Sequence, residues 1–536
     1  MNFEPFGSVR IFRPSLEVEV AIRERARAHL FARFSPGEYR GAEAGNAVVQ
    51  HQFEFYQRLL RPVIPRLASR GAAEFLLSQF DEAVRLLHGN GILDLRERER
   101  WRYIEPRLKR AIKYLVELIC IESSWRSGSL PACTREQPRL DMETALVCAE
   151  SMVDLAQNSE RVHSVTPDDA VVRVFSEGTF DYEITSEGES AGLGQVFSDR
   201  VDRDRESRRR FVGFPQFDNH TAMHQQYLDR AFTQSFGMSY GEFIAALIAV
   251  IDSCQPSLHP SAFPALFVHR AQVIDELAKS GRARPAIERA IDGFSVTAAR
   301  LIAEGREVWK PKQESRAYRR GFFVLPHETG PHLAFSRAMA RESLVQLVNW
   351  VCYRHLPKEW ETSATRKAVA DLSRGAGEWF EDVVCQNLKS LGFAGQRVHR
   401  TVGGGQVRLQ IPEPVGEIDF LGFHRQEQRV IVAEAKMVMT GLEPRYWRDD
   451  FHEFVLRRGS YAERFRKKIS WVTEQGQAIC RALGWGPVAA VSPVMLTLYP
   501  CVAGGFIADF PCVSLTEFML DYERAKRWPY KTNNTG

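Results

Sequence analysis

The spacing of apolar and polar residues first predicts a long helical region. In 1–157, apolar residues recur at helical intervals, most clearly in Ala21–Ala32, Phe75–Leu87 and Arg110–Ile121. Prolines at 62, 65 and 106 punctuate these segments. We therefore expect residues 1–157 to form a helical N-terminal region.

The pattern changes in 158–239, which we interpret as a mixed segment. Val171–Phe175 and Phe180–Ile184 are rich in β-branched and aromatic residues, so they predict two strands of a β-hairpin. A polar stretch follows and ends in a cluster of arginines at Arg203, Arg205, Arg208, Arg209 and Arg210. We expect a solvated basic loop here, with nucleic-acid contact as the alternative.

Helical spacing returns in 240–372. Phe243–Ile251, Val268–Leu277 and Ser343–Tyr353 are its clearest helices, and Gly321–Leu325 is a short extended piece between them. From about residue 373 the order becomes helix, strands and helix up to residue 530. The expected fold is therefore α+β, with a large, mostly helical N-terminal region followed by a C-terminal α/β domain whose central mixed sheet is flanked by helices.

Composition excludes several classes of protein. The chain has 536 residues with 44% hydrophobic and 26% charged residues, which is typical of a globular protein. Its nine cysteines form no C-x-x-C pair, so a zinc site or a disulfide framework is not expected and a cytoplasmic location is favoured. No apolar run approaches the ~20 residues that span a bilayer. A formal net charge of +4 is too small to indicate nucleic-acid binding by itself.

Two segments of the C-terminal domain predict a hairpin that gathers charged side chains. Residues 417–423 and 429–436 are rich in strand formers, and a polar connection of hairpin length separates them. If the turn is centred between Gln426 and Glu427, Asp419 faces Glu434 across the strands. Lys436 lies two residues after Glu434 and therefore shares its face of the sheet.

This predicted gathering of two acids and one lysine indicates a cation site. Adjacent carboxylates repel each other, and one of them should take up a proton unless a cation binds. Magnesium prefers such hard oxygen ligands, with manganese as an alternative ion. The metal would polarise a phosphoryl oxygen and activate water, while the Lys436 ammonium would lie beside the water or the phosphate.

A further acid lies on the helix that precedes the hairpin. Phe380, Val384 and Leu388 form the apolar stripe of that helix, and Glu381 lies beside it. A carboxylate at the edge of the core needs a partner. A second metal or Lys436 could provide it.

The C-terminal part resembles the PD-(D/E)xK nuclease superfamily, whose fold is restriction-endonuclease-like. The matching residues are Gly377-x-x-Phe380-Glu381, Asp419 and Glu434-Ala435-Lys436, in the order of the family, and the resemblance covers about 374–520. It implies that Asp419 and Glu434 bind magnesium, that the Ala435 carbonyl adds a ligand, that Lys436 assists the attacking water and that Glu381 supports the site. The chain departs from the family pattern at Ile418, where the family name has proline.

A basic helix follows the hairpin. Ser460 is its expected N-cap, and Ala462, Phe465, Ile469 and Val472 are its expected buried stripe. A second face is expected to present cations to nucleic-acid phosphates, namely Arg457, Arg458, Arg464, Lys467 and Lys468. The alternative is a solvated basic face without a ligand.

The sequence thus favours a magnesium-dependent nuclease that cleaves DNA, with RNA not excluded as a substrate. The helical region would then sense, restrain or position the nuclease, as in bacterial restriction or anti-phage defence. Two alternatives stay open: a nucleic-acid-binding protein without catalysis, and a helical scaffold in a larger assembly. A homo-oligomer or a partner protein is compatible with each of these readings, and no membrane association is expected.

Overall fold

The chain divides into two compact units. The computed structural model describes residues 3–6, 9–88, 95–122, 136–160, 162, 168–177, 181–187, 193–207, 225–253, 266–304, 316–404, 407–439 and 444–530. The first unit contains Met1–Glu187 and His224–Ala370. The second contains Gly188–Met223 and Asp371–Gly536, so two distant stretches of sequence form it.

The N-terminal part of the first unit is mostly helical but also contains five short strands. Its elements in chain order are β1 (Phe3–Phe6), β2 (Val9–Phe12), α1 (Leu16–Phe31), β3 (Gly37–Arg40), α2 (Gly41–Leu60), α3 (Ile64–Ala68), α4 (Ala72–His88), α5 (Leu95–Ile121), α6 (Glu136–Glu160), β4 (Ala170–Val174) and β5 (Tyr182–Ser186). The helix α6 packs along α2 and α5. The predicted hairpin at 171–184 is confirmed as β4 and β5, and β3 adds a third strand to it.

The remainder of the first unit follows the helix α7 (Leu193–Ser207), which belongs to the second unit. Its elements are α8 (Gln225–Phe236), α9 (Tyr240–Ser253), β6 (Leu266–His269), α10 (Arg270–Ala278), α11 (Arg284–Gly293), β7 (Ser295–Thr297), α12 (Ala298–Glu304), β8 (Phe322–Leu325), β9 (His332–Phe335) and α13 (Arg337–Trp350). The strands form a four-stranded sheet in the order β6-β9-β8-β7. The sequence pattern indicated only the strand near 321–325, because strands of three or four residues are too short to show a period.

The second unit is built around a mixed sheet. Its remaining elements are α14 (Ser363–Ser390, which begins in the first unit), β10 (Ala394–Val398), β11 (Thr401–Gly404), β12 (Val407–Gln410), β13 (Ile418–His424), β14 (Arg429–Lys436), α15 (Pro444–Phe451), α16 (Tyr461–Leu483), β15 (Ala490–Thr497), β16 (Cys512–Ser514) and α17 (Leu515–Ala525). The sheet order is β10-β13-β14-β15-β16. The β10, β13 and β14 strands are antiparallel, whereas β14, β15 and β16 are parallel.

The central strands of this sheet are buried on both faces. All residues of β13 except the last are buried, as are all residues of β14 except the first and the last. The helix α16 packs against β14 and β15, and α17 against β15 and β16. Helices and sheet together confirm the expected α+β class.

The helix α7 corrects the prediction of a basic loop. Arg203 and Arg205 lie on this helix, and Arg203 pairs with Asp521 on α17 at 3.3 Å. The predicted arginines 208–210 lie outside the described residues. The segment 158–239, treated as one segment by the sequence pattern, is therefore divided between the two units.

Within the described ranges, no single helix is both long and apolar enough to cross a bilayer. One pair, Gln226–Phe236 with Tyr240–Asp252, meets the test only when taken together and is bent by 85°.

Candidate active site

The β13–β14 hairpin has the register that the sequence predicts. Phe420 pairs with Ala433 and His424 with Arg429, so the pairing is centred between Gln426 and Glu427. The four-residue connection closes with Gln428 in the left-handed region, at φ 48°. Continuing the same register by one position brings Asp419 opposite Glu434.

Asp419 is tied to the neighbouring strand by a backbone hydrogen bond. The Ala435 N–H donates to Asp419 Oδ2 at 2.8 Å, and Lys436 Nζ lies 3.9 Å from the same oxygen. Asp419 Oδ1 has no hydrogen-bond partner among the described residues. The Asp419 side chain is therefore fixed on one side, while its second oxygen is available to a ligand.

Glu434 is held by two ammonium groups. Lys436 Nζ donates to Glu434 Oε1 at 2.7 Å, and Lys468 Nζ donates to Glu434 Oε2 at 2.5 Å. Glu434 and Lys468 expose only 5% and 7% of their surface. Lys436 is the most accessible member of the cluster and also lies over the Tyr461 ring, 5.3 Å from its centroid.

Lys468 corrects the prediction for the basic helix. The sequence pattern assigned Lys468 to the nucleic-acid-binding face, but the structure buries it against Glu434. Lys468 lies three residues after Phe465 and four before Val472, both of which are buried in the helix stripe. Trp471, three residues further along the helix, is buried as well. The spacing from Phe465 to Val472 is the signal that could have identified Lys468 as a site residue.

The predicted cap fixes the residue at which α16 begins. This start determines where Lys468 lies along the helix. The Ser460 hydroxyl accepts from the Glu463 N–H at 3.2 Å, and the Glu463 carboxylate accepts from the Gly459 N–H at 2.7 Å. The first bond satisfies an otherwise free N–H of the helix end, and the second ties the residue before the cap to the first turn. The helix runs to Leu483, where Gly484 ends it in the left-handed conformation at φ 67°.

The surroundings of the cluster shift the pKa values of the two acids in opposite directions. Burial, and then the adjacent charge of Glu434, raise the pKa of Asp419. Burial would also raise the pKa of Glu434, but Lys436 and Lys468 hold this pKa below its usual value. Burial would lower the pKa of Lys436, yet Glu434 and Asp419 outweigh it and raise that pKa. Lys436 is therefore a persistent cation in the structure.

Glu381 has a different partner from those expected. Its carboxylate forms an ion pair with Arg397 on β10, and Arg397 also lies 3.8 Å from Glu417. The adjacent strand β10 supplies this cation, so neither Lys436 nor a second metal is needed to compensate Glu381. The sequence pattern did not indicate Arg397, because its proximity to α14 depends on how the helix packs against the sheet.

Four of the predicted nucleic-acid-binding cations do remain at the surface: Arg457, Arg458, Arg464 and Lys467. Arg457 pairs with Glu453 at 2.7 Å, and Lys467 lies 3.9 Å from Glu463. Arg464 lies over the Tyr461 ring at 5.0 Å, next to the position of Lys436 over the same ring. Tyr461 therefore links the exposed cation Arg464 to the carboxylate cluster.

The donor set is compatible with magnesium, although it supplies few protein ligands. In the part of the chain that the structure describes, no group of three or more His, Cys, Asp or Glu side chains is arranged to hold a metal ion. Magnesium, however, often binds to one or two carboxylates and completes its shell with water and phosphate oxygens. Asp419 and Glu434 supply two such carboxylates, but both oxygens of Glu434 are bonded to lysine ammonium groups. A role for the Ala435 carbonyl stays a prediction.

The chain was also compared with known proteins. No protein-family model, curated protein or solved structure matches it. The chemistry of the site is therefore inferred from its side chains and their geometry.

Proposed function

We propose that the second unit is a magnesium-dependent nuclease domain of the PD-(D/E)xK type. The observation that carries the proposal is the convergence of Asp419, Glu434 and Lys436 on one end of a two-stranded hairpin. Phosphodiester hydrolysis needs a bound cation and neutralisation of the phosphate charge. A pair of acids can bind the cation, and an adjacent lysine can neutralise the phosphate. The mixed sheet flanked by helices further supports the proposal.

Each side chain has a distinct part in the proposed reaction. Asp419 and Glu434 would hold the cation, and the Ala435 N–H orients Asp419 for this task. When bound, the cation polarises a phosphoryl oxygen and lowers the pKa of a water. Lys436 would bind a phosphate oxygen as an ammonium group, because its neighbouring acids keep it protonated.

The substrate would approach along the outer face of α16. Arg458, Arg464 and Lys467 lie at the surface of the segment that begins just before the helix, and phosphate contacts of this kind dominate nucleic-acid affinity. We propose DNA as the substrate, with RNA as an alternative that the assay below must include. The helical first unit would restrain or position the nuclease, in keeping with a role in bacterial defence.

The test is cleavage of nucleic acid by the full chain. Plasmid, linear duplex, single-stranded DNA and RNA are incubated with Mg²⁺, with Mn²⁺ and with a chelator. Asp419→Asn and Lys436→Met should each reduce metal-dependent cleavage by about 10²-fold or more. Asp449→Asn and Lys389→Met are the matched controls, since they remove exposed groups of the same types outside both the cluster and the proposed nucleic-acid face. Cleavage that survives both site substitutions would refute the proposal.

A second candidate is a nucleic-acid-binding protein without catalysis. It is favoured by one observation, namely that both oxygens of Glu434 are already bonded to ammonium groups. This candidate predicts salt-sensitive binding that needs no metal, without cleavage of any of the four substrates. Retention of binding in Asp419→Asn together with an absence of cleavage by the unmodified chain would favour it.

A further inference from the structure

Lys468 occupies the position at which a cation would be expected to bind Glu434. Its ammonium group is 2.5 Å from Glu434 Oε2, and it reaches this oxygen from α16 rather than from the hairpin. Lys436 already satisfies the other oxygen, Oε1, at 2.7 Å. Lys436 alone could neutralise a phosphate, so that task does not explain why Lys468 is present as well.

The cluster is electrically balanced without a metal ion. Lys436 pairs with both Asp419 and Glu434, and Lys468 pairs with Glu434, so the four formal charges of the cluster cancel. Three of the four side chains, those of Asp419, Glu434 and Lys468, are at least nine-tenths buried. In such surroundings a further positive charge is costly unless one of the existing cations moves away.

We propose that Lys468 is the resident counter-ion of Glu434 and that a divalent cation binds the acid pair only by displacing it. This inference rests on the proposed function for its assumption that the acid pair is a cation site. Lys468 rather than Lys436 is the group that leaves, because Lys436 is also attracted to Asp419 and lies over the Tyr461 ring. Lys468 makes its one ion pair among the described residues with Glu434.

The arrangement couples metal binding to substrate binding. A displaced ammonium group needs another anion, and a phosphodiester bound beside the cation can supply it. Metal and polyanion should therefore bind more tightly together than separately. The site would then load its cation mainly when nucleic acid is present, which limits hydrolysis by the free protein.

The experiment measures metal affinity directly and needs no turnover. Mn²⁺ is titrated into the metal-free full chain and followed by electron paramagnetic resonance of the free ion. Lys468→Gln keeps a hydrogen-bond donor for Glu434 but removes the charge, and should tighten Mn²⁺ binding about tenfold or more. Lys468→Met serves as a second neutral variant, and circular dichroism establishes that each is folded.

Lys467→Met is the matched control, because Lys467 is the preceding residue of the same helix but is exposed and lies near Glu463. It should leave Mn²⁺ affinity unchanged. Asp419→Asn should abolish binding in both the unmodified and the Lys468→Gln backgrounds, which locates the ion at the acid pair. Affinity that is unchanged or weaker in folded Lys468→Gln, or an absence of Mn²⁺ binding in all variants, would overturn the inference.

A further Mn²⁺ titration, with nucleic acid present, tests whether metal binding and polyanion binding are coupled. Adding a phosphorothioate oligonucleotide that resists cleavage should tighten Mn²⁺ binding to the unmodified chain and should have a smaller effect on Lys468→Gln. Equal effects on both proteins would refute the coupling. The two proposals can fail separately. If no nucleic acid is cleaved but Lys468→Gln still binds Mn²⁺ more tightly, the proposed reaction is refuted and the role of Lys468 stands.

Discussion

Arg200 and Glu517 are 317 positions apart in the sequence and form a two-pronged ion pair. Arg200 Nε donates to Glu517 Oε1 at 2.6 Å, and Nη2 donates to Oε2 at 2.9 Å. The pair joins α7 to α17, and the adjacent Ser514 hydroxyl donates to Asp204 at 3.0 Å. A segment inserted between two parts of the first unit is thus held in the second.

Breaking this ion pair should destabilise the second unit. Glu517 exposes only 7% of its side chain, so Arg200→Ala leaves a buried carboxylate without its cation, and a loss of about 3 kcal/mol is expected. Hydrogen-exchange mass spectrometry should show faster exchange in α17. Arg205→Ala is the control, because this exposed arginine pairs with Asp202 at the surface and should cost under about 1 kcal/mol. Equal exchange in the two variants would contradict the expectation.

Two glycines of the second unit should respond oppositely to alanine. A Cβ at Gly395 would lie 2.4 Å from Gly422 Cα and 2.4 Å from the Leu421 carbonyl oxygen, and these backbone atoms cannot yield without opening the sheet. Gly395→Ala should therefore lower stability by about 2 to 3 kcal/mol. Gly377 lies inside α14, and apart from the helix's own backbone an added Cβ would have no described atom within 4 Å, so Gly377→Ala should raise stability by up to about 1 kcal/mol.

Thermal unfolding of the two glycine variants distinguishes a steric effect from a general intolerance of substitution. The midpoint should fall for Gly395→Ala and rise for Gly377→Ala. A fall of equal size in both would show that open space around a glycine does not decide the result.

The stability of the second unit should depend on pH through Asp450. Burial raises the pKa of Asp450 to about 7, and the Cys501 thiol lies 3.6 Å from Asp450 Oδ2. A carboxyl group with a raised pKa favours folding only while it is protonated. Its contribution is complete below the unfolded pKa near 3.8 and is lost as the pH rises through about 7.

Asp450→Asn removes this dependence because the amide is neutral at every pH. Relative to the unmodified chain, the variant should gain about 2 kcal/mol between pH 5 and pH 8. Denaturant unfolding of both proteins at several pH values measures the difference. A stability difference that does not change with pH would show that Asp450 ionises without penalty.

Nucleic-acid binding should depend on the surface cations of α16 that have no ion pair among the described residues, rather than on the total charge of the helix. Arg464 contacts the Tyr461 ring, whereas Arg466 is bonded to both oxygens of Asp509 at 2.6 and 2.9 Å. Arg464→Ala should weaken binding and reduce the slope of log affinity against log salt by about 0.9. Arg466→Ala should change this slope little, since its charge is already neutralised.

Fluorescence anisotropy of a labelled DNA duplex across a salt series measures both variants. The two variants are well matched, because Arg464 and Arg466 are both exposed arginines on the same helix. An equal loss of affinity in both variants would indicate that only the net charge of the helix matters.

The sequence by itself determined the parts of the site that depend on short-range geometry. The register that brings Asp419 opposite Glu434 follows from the period of two in β-strands and from the length of the connection between them. The start of α16 at Ser460 follows from the cap, since a serine followed three residues later by glutamate satisfies free N–H groups within one turn. Both features are set by residues close together in the chain.

Only the tertiary structure decided which distant side chains complete the site. Lys468 meets Glu434, and Arg397 meets Glu381, because of the angle and height at which helices pack against the sheet. The membership of α7 in the second unit depends likewise on its contact with Glu517. A periodic pattern defines which face of a helix is buried, but the position of the partner is fixed by the packing of the whole unit. Residues far apart in sequence therefore supply the ion pairs that no local pattern could assign.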